Sequence, residues 1–165
     1  MTNNSKSSTS MFSDLYNNEI IGSIGVFSVI NELSPISCAK VMLILPFLFH
    51  NDLVRYLNHS STKVKSIEQL ILKKPEFISN FNERFYDLIE TSFNSILILN
   101  SLDIIYINKD GKIMINEGNK NKLLKDLTKN KIGIRASNMV KASQKLAYLL
   151  TEDVDNLYLQ LRVKL

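Results

Sequence analysis

The stretch Ser34–His50, SPISCAKVMLILPFLFH, constrains the fold more than any other part of the chain. Every residue from Val41 to Phe49 is apolar, Pro46 included. A helix that is apolar on nearly all sides has to be buried, so this run predicts the central helix of the fold. Ser34-Pro35 predicts its start: Ser34 caps the free amides, and Pro35 takes the first helical position, where no amide hydrogen is missed. Pro46 removes one backbone hydrogen bond and predicts a kink or a break. His50 is expected to cap the broken helix or to satisfy a buried carbonyl. Asn51 is expected to cap a further turn carrying Leu53, Val54, Tyr56 and Leu57. The apolar run is about half the length that a bilayer span requires, so no transmembrane segment is expected.

On either side of this run the chain reads as mainly helical. Residues 1–11 are polar enough to predict a flexible N-terminal tail. A first helix is expected from about Asn18 to Leu33, with Ile20, Ile24, Phe27 and Ile30 at helical spacing. Gly22 and Gly25 weaken it by roughly 1 kcal/mol each, or let another backbone come close. Ser66 and Gln69 form a capping-box pattern ahead of Ile67, Leu70 and Ile71. Pro75 opens what reads as one long helix. Its apolar stripe is Phe77, Phe81, Phe85, Leu88, Ser92, Ile96 and Leu99, widened by Ile78, Ile89, Phe93 and Leu97. Its polar face includes Glu83, Asp87 and Glu90. The β-rich run Asp103–Ile107, the turn Asn108-Lys109-Asp110-Gly111 and the run Lys112–Ile115 predict a hairpin. Three further helical patterns follow, the last one capped by Thr151. The expected fold class is therefore mainly α with a small β-hairpin: a winged-helix-like core over residues 12–118, and a C-terminal helical extension over residues 119–165 packed on the core or on partners.

The inventory of reactive residues excludes most chemistry. Two histidines and one cysteine, Cys38, form no metal-ligand spacing and no disulfide framework. A reducing cytoplasm is the simplest setting for such a chain. Neither a phosphate loop, nor a dinucleotide fingerprint, nor a nucleophile elbow is present. No catalytic, cofactor or metal residue is assigned, and no enzymatic activity is expected. Net charge is +4, and residues 109–145 hold ten Lys or Arg against three Asp or Glu. Such an excess either solvates a lysine-rich face or attracts nucleic acid. Lys109, Lys112, Lys120 and Lys122 are the candidate nucleic-acid contacts. Phe12 and Tyr16 just ahead of the first helix, Ile20 within it, and Tyr158 and Leu161 in the last are the candidate partner contacts.

Several weak motifs in a fixed order resemble a known family. Leu45-Pro46-Phe47-Leu48-Phe49-His50 resembles the Leu-Pro-apolar-His segment of the middle components of three-component ABC systems. Asn17-Asn18-Glu19, Ser34-Pro35-Ile36, Ser66–Ile71, Lys74-Pro75-Glu76-Phe77 and Asp110-Gly111 match further features of that family in order. The resemblance covers roughly residues 17 to 116. The chain departs from the family in its Lys73-Lys74-Pro75 sequence and its short, Ile-rich hairpin. The resemblance implies an accessory subunit without catalysis of its own, in Lamassu-type defence against phage or plasmids. It also implies an SMC-like coiled-coil ATPase and an effector subunit, often a nuclease, as partners. Non-specific DNA contact within such a complex is a further expectation, and membrane contact is not. The competing expectation is a free-standing winged-helix transcriptional regulator that binds DNA on its own.

Overall fold

The computed structural model describes residues 5–129 and 132–164, with side chains from residue 18 onward, those of residues 126, 128 and 129 excepted. Helix α1 spans Ser5–Leu33, beginning well ahead of the Asn18 start expected. Its core-facing side chains Val26, Phe27, Val29 and Ile30 are fully buried. It packs against α7 (Ile89–Ser101) on one side and α9 (Gly133–Leu149) on the other.

Small residues allow these close approaches. A Cβ on Gly22 would stand 2.9 Å from Ser95 Oγ and 3.1 Å from Leu45 Cδ1. A Cβ on Gly25 would meet Met139 Cε at 2.8 Å and Leu48 Cδ1 at 3.0 Å. The two glycines are therefore contact points, and the packing they permit offsets their helix-breaking tendency.

The central apolar run is buried, as its composition requires, but it is not one helix. Ser34-Pro35 lies outside the helix. Ile36–Ser37 is instead a short strand, β1, and Ser34 Oγ accepts a hydrogen bond from the Ile115 amide at 3.3 Å. Ser37 caps α2 (Cys38–Met42), accepting from the Lys40 amide. The chain turns at Leu43, and α3 (Ile44–Leu48) follows with all five side chains buried. The break falls where Pro46 imposes it: a proline cannot bond to the carbonyl four residues earlier, and its ring crowds that carbonyl, here Met42's. A second turn at Phe49 leads into α4 (Asn51–Asn58).

Helix α5 (Ile67–Lys73) is capped by Ser66, whose Oγ accepts from the Gln69 amide. Gln69 Oε1 reaches back one residue beyond the cap and accepts from the Lys65 amide at 2.8 Å. The long helix expected from Pro75 is divided. Pro75–Phe77 is a 3₁₀ turn, α6 covers Phe81–Asp87, and a bend at Leu88 separates it from α7. The bend is mild, because Leu88 N–H still bonds the Arg84 carbonyl and the Leu88 carbonyl still accepts from Ser92 N–H.

The hairpin forms as expected, with β2 at Ile105–Ile107 and β3 at Lys112–Ile115. Gly111 takes the positive φ of the turn, and Asn108 Oδ1 accepts from the amides of Asp110 and Lys112. Strand β1 adds to β3, completing an antiparallel sheet in the order β1-β3-β2, with Ile36 opposite Ile113. Ile36, Ile105, Ile113 and Ile115 turn one face of the sheet into the core. The fold class is thus mainly helical with a small antiparallel sheet, and the element order accommodates a winged-helix-like core.

After the sheet come α8 (Glu117–Lys129), α9 and α10 (Val154–Gln160). Asp153, not Thr151, caps α10; Thr151 Oγ1 donates to the Tyr148 carbonyl instead. Leu157 and Leu161 are buried, so the terminal helix docks on the chain's own core. Among the described residues no helix is long and apolar enough to cross a membrane.

The α1–α7 contact generates a test. Gly22→Ala gains roughly 1 kcal/mol of helix propensity but forces an overpacking cost of about 1–3 kcal/mol. Net destabilisation in urea unfolding is expected, and adding Ser95→Ala should recover most of it, because it removes the nearest obstructing atom and keeps a good helix former in α7. A single variant as stable as the parent would mean that α1 and α7 are not held this closely.

Candidate functional site

The residues singled out in the sequence do not converge on one site. The side chains of Phe12 and Tyr16 lie outside those described. Ile20 is 56% exposed on α1. Tyr158 is half-buried: its hydroxyl donates to the Ala39 carbonyl at 2.9 Å, and its ring meets that of Phe85 edge-on. Leu161 is 1% exposed and belongs to the core. Lys109 and Lys112 stand exposed on the hairpin, and Lys122 is exposed on α8. Lys120 is paired with Glu117 at 3.3 Å.

A different surface emerges on α6 and α7. Ile89, Phe93 and Leu97 follow one another every four residues on α7, and Tyr86 continues the line onto α6. The sequence pattern assigned Ile89, Phe93 and Leu97 to a widened core stripe; they lie outside it, at 42%, 52% and 50% exposed, with Tyr86 at 49%. The core is met by a separate face carrying Phe81, Phe85, Ser92, Ser95, Ile96 and Leu99. Beside this exposed ridge run the acids Glu83, Asp87 and Glu90, all exposed. The Tyr86 hydroxyl donates to the Lys164 carbonyl, which fixes the ring on the surface. An apolar arc wider than the roughly 100° that one core needs was the signal available in the sequence.

What orients the ridge is Arg84, which points the opposite way. Its Nε donates to the Pro46 carbonyl at 3.0 Å and its Nη2 to the Phe77 carbonyl at 2.7 Å. Its Nη1 donates to Asn80 Oδ1, and the guanidinium lies 5.6 Å from the centre of the Phe81 ring. Burial lowers its pKa to about 10, so it remains a cation at neutral pH.

Of the candidate reactive groups, His50 is occupied structurally, and Cys38 is free and exposed at the start of α2. His50 caps α4, its Nδ1 accepting from the Leu53 amide at 3.1 Å, and its ring packs edge-on against Phe77. This is the capping role expected of it, and it replaces the cap expected of Asn51. Burial holds the His50 pKa below its usual value; Arg84 adds to the effect and Asp52 opposes it. Burial pushes the Cys38 thiol up, away from the thiolate that a nucleophile needs. Among the described residues no group of three or more His, Cys, Asp or Glu could hold a metal ion.

The family model for ABC-three component (ABC-3C) system Middle Component 3 matches residues 26–165. Neither a curated protein nor a solved structure matches the chain.

The cap makes His50 a source of pH dependence. The folded state keeps the imidazole neutral, whereas the unfolded chain protonates it near a pKa of about 6.5. Its contribution is therefore complete above that pH and lost as the pH falls through the lowered folded value. His50→Ala is expected to cost about 1 kcal/mol at pH 7.5. His50→Asn should keep the cap while flattening stability between pH 5 and 7.5, measured by urea unfolding. An unchanged pH profile in His50→Asn would remove His50 as its source.

Proposed function

The chain belongs to the Middle Component 3 family of ABC-three component systems, and from that premise we propose a non-catalytic adaptor subunit. In this reading it bridges an SMC-like coiled-coil ATPase to a nuclease-type effector, in Lamassu-type bacterial defence against phage or plasmids. Membership of a system of several components implies protein partners.

The observation that carries the adaptor reading is the ridge Tyr86–Ile89–Phe93–Leu97. Water contact at four large side chains in a row is unfavourable for a free protein, and covering the exposed half of each would contribute about half of the roughly 1.5–3 kcal/mol that full burial of such a side chain is worth. The same face speaks against the free-standing regulator. A helix that reads a major groove presents bases to phosphate, whereas this one presents apolar residues and three carboxylates.

Co-expression with the other two components of the system should yield one complex that survives size-exclusion chromatography. A chain that elutes alone, leaving the other two components assembled without it, would sink the adaptor reading.

DNA contact by the assembled complex is a separate expectation, favoured by the exposed hairpin lysines Lys109 and Lys112. Phosphate contacts hold a duplex without reading its sequence. Lys109→Glu with Lys112→Glu should weaken duplex binding by the complex and reduce the salt slope by about 2. Unchanged affinity and slope would place the DNA, if bound at all, on another subunit.

A further inference from the structure

The ridge also indicates what kind of surface covers it. We propose, resting on the adaptor reading, that the α6–α7 ridge seats an amphipathic helix of a partner subunit, whose apolar stripe is flanked by Lys or Arg.

Three observations carry this. First, the ridge has the length and spacing of a helix-binding face. From residue 86 to residue 97 it runs about 16 Å along the helix, or three turns, with an apolar side chain every three or four residues. Apolar anchors at that repeat are what an amphipathic helix presents to its partner.

Second, the charge that α6 and α7 themselves place beside the ridge has one sign, with Lys164 standing only at its Tyr86 end. Glu83, Asp87 and Glu90 are three or four residues apart and line one edge. Between Lys74 and Lys109 the chain has one basic residue, Arg84, and it is turned inward onto the Pro46 and Phe77 carbonyls. Among the described residues none of the three carboxylates forms an ion pair; the pairs that do form are Arg55–Asp52, Lys74–Glu76 and Lys120–Glu117. An unneutralised acidic edge selects a basic flank and disfavours wrong partners by like-charge contact.

Third, the same charge disfavours the other occupants. Duplex DNA would meet carboxylates and apolar side chains. A second copy packed symmetrically through this face would bring the carboxylates of both copies to one interface, because a two-fold contact uses the same patch on both.

The test uses the full chain co-expressed with the other two components. Phe93→Asp is the central variant, and it stands on an exposed position, so it should leave the fold of the isolated chain intact by circular dichroism. Leu72→Asp, at an 84% exposed position outside the ridge, serves as the control. Phe93→Ala is expected to weaken association about 30-fold, as the loss of a central aromatic anchor does. Phe93→Asp should abolish association, and Leu72→Asp should leave it unchanged. Reversing the acids (Glu83→Lys, Asp87→Lys and Glu90→Lys together) should weaken association and invert its salt dependence. Cross-linking from position 90 should place the contact on a helical segment of the partner with Lys or Arg beside its apolar stripe.

Failure of this proposal and failure of the adaptor reading are distinguishable. A complex that forms normally with Phe93→Asp and with the triple reversal keeps the adaptor reading and overturns the ridge as its seat. A cross-link to an acidic or uncharged segment, or self-association of the isolated chain that Phe93→Asp abolishes, overturns the proposed occupant. No complex with the parent chain overturns both.

Discussion

The structure depends on the hydrogen bond between Arg84 and the carbonyl of Pro46. Proline in a buried apolar run leaves backbone groups without their usual helical partners, and such groups are costly to bury unless another donor reaches them. Here the helix ends at Phe49, so the amide that would ordinarily serve the Pro46 carbonyl bonds to Phe47 instead. Arg84 supplies the missing donor and with a second arm satisfies Phe77 at the preceding 3₁₀ turn. One side chain thereby ties α3, the Pro75–Phe77 turn and α6 together. The guanidinium makes no ion pair among the described residues; it meets carbonyl oxygens and the Phe81 ring, and burial lowers its pKa.

This constraint has a functional consequence because a helix has opposite faces. Arg84, Phe81 and Phe85 hold one side of α6 against the core, and Gly22 lets α1 press against α7 at Ser95. With those contacts set, the rotation of α6 and α7 is set too. Tyr86, Ile89, Phe93 and Leu97 are then left on the outer face, whatever their hydrophobicity. The ridge is exposed because packing elsewhere is already complete. Such a surface is rigid before it meets a partner, which reduces the ordering cost of association.

Local signals were legible in the sequence, and those that depend on a distant neighbour were not. The Ser66 cap, the Gly111 turn and the burial of Ile44–Leu48 are set within a few residues, and each stands where its pattern placed it. Ser34-Pro35 carried an equally good helix-start pattern, yet Ile36 and Ser37 are extended, because β3 offers a backbone partner more than seventy residues away. The single long helix expected from Pro75 is bent at Leu88, and its apolar residues serve two surfaces in place of one. Periodicity counts apolar positions on a helix; it does not reveal how many of them the rest of the chain can cover. Family resemblance compensated for part of this, since the middle-component motifs preserve order even where each is locally weak.

The distribution of charge extends the same logic to the whole chain. The basic excess lies in residues 109–145, on the hairpin, α8 and α9, whereas the α6–α7 surface is apolar and acidic. A protein that bound one extended polyanion would gain most by gathering its bases around a single face. This chain instead carries its lysine-bearing wing and its carboxylate-edged apolar ridge on different elements, the hairpin for the one and α6–α7 for the other. Two surfaces of opposite character on a small, stiff body suit a subunit that meets two different partners. Because neither surface contributes to the core, either can be altered by substitution without unfolding the scaffold. In the proposed adaptor reading, partner binding and fold stability are therefore carried by different residues, Phe93 and Leu97 for the one, Arg84 and Gly22 for the other.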